Sequence, residues 1–160
     1  MKGVRLAAGL AAFVLSLAIA VVVVLITMLL AIPAGYALAK NRIPFGPAIM
    51  FLFLMPNAFP QQPIFVNLLG LFTRLRLAGT VPGVMLVHIL VGLVFGVWIT
   101  SATFRAIPAH LEEAARSVGA SRVRAFFRIT LPLAAPGLLS SAVFVFITSL
   151  DEFTGTFFIG

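Results

Sequence analysis

A stretch without a single charged residue, from Leu6 to Ala39, most constrains how this chain can fold. At about 1.5 Å per residue, a helix of this length reaches about 50 Å, whereas the hydrocarbon core of a bilayer is about 30 Å thick. The whole chain is 62% hydrophobic and 9% charged, with a mean hydropathy of +1.19. A soluble globule of 160 residues cannot hide so much apolar surface from water. The sequence therefore predicts an all-helical membrane bundle and excludes a soluble enzyme, a disordered tail and a fibrous repeat.

Apolar segments predict about four transmembrane helices, at residues 14–39, 47–68, 81–104 and 129–150. Residues 1–13 are expected to form an interfacial lead-in. A secretory signal is the alternative, but the apolar run is too long for one and no cleavage site follows it. The second segment contains the proline-rich string MPNAFPQQP, which predicts an interruption of the helix. Because interrupted backbone at membrane depth must be covered by protein or by a water-filled cavity, this segment is expected to line the inside of the bundle.

The basic residues indicate which side of the membrane each connecting segment faces. The net charge of +7 comes from 11 Lys and Arg against 4 Asp and Glu, and these residues cluster at the ends of the apolar segments. The positive-inside rule then favours a cytoplasmic position for Lys40 and for the segment 105–128. The inside set is Lys40, Arg42, Arg105, Arg116, Arg122, Arg124 and Arg128, and the outside set is Lys2, Arg5, Arg74 and Arg76. This distribution predicts a multi-pass protein whose partner is the lipid bilayer and not nucleic acid.

The polar segment 105–128 has the local chemistry of two short helices joined by a hinge. Glu112 and Arg116 are spaced four residues apart, which favours an ion pair along the first helix. Gly119 is placed to end that helix in a left-handed conformation. Ser121 can cap a second helix at about residues 121–128, before the chain enters the last apolar segment.

The same segment carries a motif with fixed spacing. Glu113-Ala114-Ala115 is followed after three residues by Gly119, and after nine more by Ile129-Thr130-Leu131-Pro132. This pattern resembles the EAA signature of the permease subunits of bacterial type I, binding-protein-dependent ABC importers. The resemblance extends from about residue 15 onward, through the strings AIPAGYALAK, GTVPGVMLVH, FFRITLPLAAPG and SLDEF.

The resemblance implies a single permease domain over residues 1–160, incomplete at both ends, in the bacterial inner membrane. In this family the polar loop forms a coupling helix that docks on a cytoplasmic ATP-binding subunit dimer. The other implied partners are a second permease subunit and a periplasmic or lipid-anchored solute-binding protein. No cofactor is expected on this chain, because it lacks a Walker A motif and ATP would be bound by the partner. The implied coupling residues are Glu112, Glu113, Ala114, Ala115, Gly119, Ile129, Leu131 and Pro132.

Four polar residues are weaker candidates for a solute path: Asn57, His88, Asp151 and Glu152. The string SLDEF is similar to strings in permeases for polyamines and aminoethylphosphonate, and two carboxylates would suit a cation. A polyamine or a similar small polar solute is therefore expected. Each candidate also has a structural interpretation. The carboxylates can be solvated at a helix end, the histidine can be a packing residue, and Asn57 can satisfy backbone groups freed by the prolines.

Three other functions compete with an importer subunit. A secondary transporter or channel would need ion-coupling groups, yet the predicted spans contain no Asp, Glu, Lys or Arg. An intramembrane enzyme is disfavoured, because the chain has no cysteine and its two histidines are far apart in the sequence, so no catalytic constellation can be assembled. A metal site is not expected either, because the two separated histidines have no cysteine partners. A non-transporting membrane fragment would be separated from an importer subunit by a transport assay.

Overall fold

The computed structural model describes residues 2–41 and 44–160, apart from the side chains of residues 2–6, 8 and 56, and every element in these ranges is helical. The helices are α1 (Lys2–Lys40), α2 (Gly46–Leu54), α3 (Gln61–Arg74), α4 (Val81–Ala106), α5 (Ala109–Ser117), α6 (Arg122–Ala125), α7 (Leu131–Asp151) and α8 (Phe153–Ile159). A 3-10 turn at Met55–Ala58 follows α2, and a π-helical segment at Phe126–Thr130 joins α6 to α7. The predicted all-helical class is confirmed. Arg42, which the charge count places inside, lies outside the described residues.

Within the described residues, three helical stretches are long and apolar enough to cross a membrane: Gly9–Lys40, Val81–Ala106 and Arg122–Asp151. The described part of the expected lead-in, residues 2–13, is helical and continuous with the rest of α1. The second predicted span, 47–68, for which the sequence predicts an interruption, is divided between α2 and α3. The physical reason is its prolines, which lack an N–H donor and clash with the preceding turn, so the helix breaks where the sequence predicts.

The helix ends meet at two opposite ends of the bundle. At one end, called here the loop end, Lys40 Nζ at the end of α1 donates to the carbonyl oxygen of Ile107 just after α4, at 2.7 Å. At the other end, called the far end, the backbone N–H of Gly79 donates to the carbonyl oxygen of Ile159 at 2.7 Å. Residues 44–80 therefore return the chain from the loop end to the far end, where α3 packs against α8.

Helix α4 is the most buried of the three long helices and packs against both α1 and α7. A cluster of Ile19, Val23, Ile89 and Val145 joins the three helices in the half nearer the far end. A second cluster, at the far end, contains Phe65, Phe72, Val87 and Ile159. A third, at the loop end, contains Phe104, Ile107, Ala134 and Leu138. The opposite faces of α1 and α7 expose large apolar side chains, as a lipid-facing surface requires.

Candidate functional site

The coupling motif begins on α5, a helix that lies outside the bundle. None of its nine residues, all of them described, is buried. Glu113 and Ala114 are exposed, whereas Glu112 and Ala115 are half-buried toward the bundle. Val118, directly after the helix, is 87% exposed although it is apolar. The motif thus presents a carboxylate and small or apolar side chains on one accessible surface.

The turn after α5 has the conformation that the sequence predicts. Gly119 has a φ of +92°, in the left-handed region that glycine adopts without strain. Its N–H donates to the carbonyl oxygen of Arg116, and the N–H of Ala120 donates to that of Ala115, both at 3.0 Å. Ser121 then caps the next helix, because its Oγ accepts from the N–H of Arg124 at 3.3 Å. The glycine turn and the serine cap are therefore confirmed.

The second half of the motif, Ile129 to Pro132, spans the junction with the last long helix. The expected separate helix at 121–128 is wrong, because α6, the π-helical segment and α7 form one continuous stretch from Arg122 to Asp151. Pro132 cannot donate to the carbonyl oxygen of Arg128, and the helix widens there into the π form. Leu131 packs on the loop-end cluster, Ile129 is half-buried, and Pro132 is exposed.

Glu112 is turned toward the bundle and does not form the predicted pair along α5. Its Oε2 accepts a hydrogen bond from Tyr36 Oη at 2.9 Å, and its Oε1 accepts one from Thr130 Oγ1 at 2.5 Å. Lys40 Nζ lies 3.9 Å from Oε1. Among the described residues, the ion pair of Glu112 is therefore with Lys40 and not with Arg116. The carboxylate joins α5 to α1 and to the π-helical segment.

Sequence reasoning did not identify the three partners of Glu112. Tyr36 fits an aromatic belt at the membrane surface, and Thr130 occupies the variable position of the motif, so neither position suggests a carboxylate contact. Tyr36 packs edge-on against Phe126 and Phe104, with ring centroids 4.7 and 5.5 Å apart. The only sequence signal is that Lys40 and Glu112 carry opposite charges on segments predicted to share one side of the membrane.

The histidine predicted as a solute-path candidate is buried at the far end and bonded on both ring nitrogens. His88 Nδ1 lies 2.9 Å from Ser149 Oγ on α7, and Nε2 lies 2.9 Å from Thr156 Oγ1 on α8. Both contacts are hydrogen bonds, in which the hydroxyls can donate or accept as the tautomer requires. His88 thereby joins α4 to two other helices, as its structural interpretation expects.

The two neighbouring carboxylates at the end of α7 lie in different surroundings. Asp151 is exposed. Glu152 is 8% exposed, and its Oε1 accepts from the N–H of Gly155 at 2.9 Å, which caps α8. Glu152 also lines a cavity of about 200 Å³ together with His88, Ser16, Ser149 and Thr156. The structure therefore brings two of the four solute-path candidates together and leaves Asp151 outside this cavity.

Asn57 lies elsewhere, on the 3-10 turn. It is exposed and lines a mostly apolar groove of about 310 Å³ between α3 and α4, with Gln61 beside it and Val87 on the wall. This groove and the far-end cavity have no lining residue in common. Asn57 and His88 thus do not form one site in this structure.

Residues 31–160 match the family described as the binding-protein-dependent transport system inner membrane component. The chain belongs to this family. The match includes all of the coupling motif and the three residues that contact Glu112, which are Tyr36, Lys40 and Thr130. The family consists of inner-membrane transport components and not of enzymes, so the predicted membrane location is confirmed.

Three relatives show how far the similarity extends. A Streptomyces antibioticus chain that bears the name of an ABC transporter permease protein is 37% identical, over 86% of this chain and 60% of its own length. The trehalose transport system permease protein SugB of Mycobacterium tuberculosis is 34% identical, over 88% of this chain and 52% of its own. The osmoprotective compounds uptake permease protein GgtD of Synechocystis is 35% identical, over 85% and 46%. The chain thus spans about half the length of the relatives it matches.

Proposed function

We propose that this chain is a permease subunit of an ABC importer and that α5 docks on a cytoplasmic ATP-binding subunit. The observation that carries the proposal is the complete motif, whose first half lies on an exposed helix at the loop end, beside Lys40 and Arg105, where the positive-inside rule favours the cytoplasm. Nucleotide-driven closure of two ATP-binding subunits would move the coupling helices of a permease pair. The long helices would then act as levers for alternating access.

The docking surface in this proposal consists of Glu113, Ala114 and Val118. Glu113 offers an exposed carboxylate that an arginine or a helix N-terminus of the partner can bind. Ala114 lets a partner surface approach the helix closely, and Val118 provides an exposed apolar contact. Gly119 fixes the direction in which the chain leaves this surface, so a side chain there would disturb the turn.

A second permease subunit and a solute-binding protein complete the proposed assembly. The family description names dependence on a binding protein, which supports the latter partner. The exposed apolar faces of α1 and α7 are available for contact with lipid or with another helical subunit. ATP would be hydrolysed by the partner, because this chain has no Walker A motif.

For the solute, we propose a small polar molecule bound through hydrogen bonds and not a polyamine. Two of the relatives are named for trehalose and for osmoprotective compounds, and neither name refers to a polyamine. The two carboxylates that suggested a cation are also divided, since Glu152 caps α8 and Asp151 is solvent-exposed. A panel containing a disaccharide, a zwitterionic osmolyte and spermidine, tested on the cognate binding protein, discriminates these classes.

Docking is tested by co-purification of the ATP-binding subunit with variants of this chain. We expect Glu113→Lys and Gly119→Asp to reduce the retained ATP-binding subunit at least about tenfold, the equivalent of about 1.4 kcal/mol of lost binding. Asp151→Lys is the matched control, because it makes the same charge reversal on an exposed carboxylate away from the loop end. Equal retention in all three variants, at equal membrane levels, would remove the docking proposal.

A further inference from the structure

We infer that Glu112 is a positioning residue that transmits the movement of α5 to α1 and α7, while the adjacent Glu113 faces the ATP-binding subunit. This inference rests on the proposed docking function and assigns separate roles to two consecutive carboxylates of the motif. In a helix, consecutive side chains point about 100° apart, so one can face the bundle while the next faces outward. The structure shows this division, since Glu113 is exposed and the Glu112 side chain is 16% exposed.

The carboxylate of Glu112 uses both oxygens to hold two different elements. Tyr36 Oη on α1 donates to Oε2, and Thr130 Oγ1 in the π-helical segment donates to Oε1. Lys40, also on α1, lies 3.9 Å from Oε1 and at the same time donates to the carbonyl oxygen of Ile107. Hydrogen bonds to an ionised carboxylate are roughly twice as strong as neutral ones. Glu112 is therefore the point where α5, α1, the end of α4 and the start of α7 are connected.

The partners of Glu112 are themselves fixed by packing. Thr130 is completely buried, and the ring of Tyr36 lies between Phe104 and Phe126. Phe104 is also fully buried, in the loop-end cluster. By contrast, no residue of α5, all of which is described, is buried. Leu111 of α5 packs on the loop-end cluster, and the hydrogen bonds of Glu112 are a second path by which a pull on α5 reaches the long helices.

A purely structural role for Glu112 makes a different prediction from a transmitting role. If Glu112 only maintained the shape of the loop, its loss would release α5 and weaken docking of the ATP-binding subunit. If Glu112 transmits movement, the subunit still docks through Glu113, but nucleotide no longer changes the far end of the bundle. The decisive measurement is therefore the nucleotide response of the far end at unchanged docking.

The chain contains no cysteine, which permits a single reporter at the far end. Ser16 is exposed and lines the far-end cavity with Glu152, so Ser16→Cys places a thiol there. The reporter chain is assembled with its ATP-binding subunit in liposomes, and the labelling rate with a membrane-impermeant maleimide is measured without nucleotide and with ATP plus vanadate. The ratio of the two rates reports how strongly the far end responds to nucleotide.

We expect the ratio of labelling rates to change toward one by a factor of about 2 to 10 in each of three variants, Glu112→Gln, Tyr36→Phe and Thr130→Val. This factor is within the range found for residues that couple two sites. The ATP-binding subunit should co-purify as with the unsubstituted reporter. Combining Tyr36→Phe with Glu112→Gln should add little, because both remove the same connection. Thr73→Val is the matched control, since Thr73 is exposed and, among the described residues, its Oγ1 bonds within α3, to the carbonyl oxygen of Leu69 at 2.8 Å.

An unchanged ratio in Glu112→Gln would overturn the inference, and so would loss of the ATP-binding subunit from that variant, which would indicate a structural role. Failure of the proposed function gives a different result, namely full retention of the subunit by Glu113→Lys. A reporter that shows no nucleotide response with the subunit bound would count against the proposed function and, with it, against the inference.

Discussion

Glycines at the helix crossings let the three long helices approach each other more closely than larger residues would permit. A Cβ added at Gly35 on α1 would lie 2.1 Å from Thr100 Oγ1 on α4. One added at Gly137 on α7 would lie 2.4 Å from the Thr103 side chain. Gly92 and Gly96, the GxxxG pair of α4, face Thr27 of α1 and Val145 of α7. Small residues at these positions give the backbone proximity on which helix packing in lipid depends.

At the residue scale, Gly35→Ala should destabilise the bundle by about 1–3 kcal/mol, because the added methyl group overpacks the contact between α1 and α4. Thermal unfolding in detergent measures the effect. Gly70→Ala is the control, since no atom of another described residue outside its own helix lies within 4 Å of a Cβ there. That variant should gain about 0.5–1 kcal/mol from improved helix propensity. Equal melting temperatures for the two variants would contradict the close contact.

At the element scale, α8 is a short helix that depends on contacts from its neighbours. Glu152 caps its first turn, Thr156 bonds to His88 on α4, and the carbonyl oxygen of Ile159 accepts from Gly79. With only seven residues, α8 would not be stable by itself in water. Its position at the far end of α7 is therefore a product of packing and of these polar contacts.

His88→Ala should loosen α8, since it removes the hydrogen bonds to Ser149 and Thr156. Each lost buried bond reduces local stability by about 1–3 kcal/mol when a partner is left unsatisfied. Amide hydrogen exchange over residues 153–159 should accelerate, while exchange in the middle of α7 should stay slow. His110→Ala, at an exposed position of α5, is the control and should leave both regions unchanged. Unaltered exchange in His88→Ala would show that the hydrogen bonds of His88 do not hold α8.

At the scale of the whole molecule, the two ends of the bundle differ in chemistry. The loop end contains the exposed coupling helix and the connected group of Glu112, Tyr36, Lys40 and Thr130. The far end contains the cavity lined by His88 and Glu152. The long helices that join the two ends carry apolar side chains outward. A movement at one end can therefore reach the other through the packing of α1, α4 and α7.

The proposed orientation predicts opposite labelling of the two ends in cells. Val123→Cys at the loop end and Phe153→Cys at the far end place thiols at positions that are 66% and 73% exposed. In intact spheroplasts, a membrane-impermeant maleimide should label the Phe153→Cys chain at least about tenfold more than the Val123→Cys chain, because the loop end is expected inside. After permeabilisation, labelling of the Val123→Cys chain should rise at least about tenfold. Labelling of Val123→Cys from outside would reverse the orientation and remove the coupling proposal.

Sequence reasoning was most successful where local chemistry decides the structure. The left-handed Gly119, the Ser121 cap and the interruption at the proline-rich string each follow from the backbone preferences of a few adjacent residues. It was wrong about a separate helix at 121–128, because the boundary there depends on how α7 continues. It also paired Glu112 with Arg116, since only partners along the same helix are visible in a sequence.

The sequence by itself determined that this chain is an apolar helical membrane protein with one polar loop, because composition and the spacing of the coupling motif are properties of the chain alone. Tertiary structure alone decided which carboxylate faces outward, which partners Glu112 binds, and that His88 and Glu152 share a cavity. The physical reason is that these contacts join residues far apart in the chain. Their geometry is fixed by how α1, α4 and α7 pack, and no local preference encodes it.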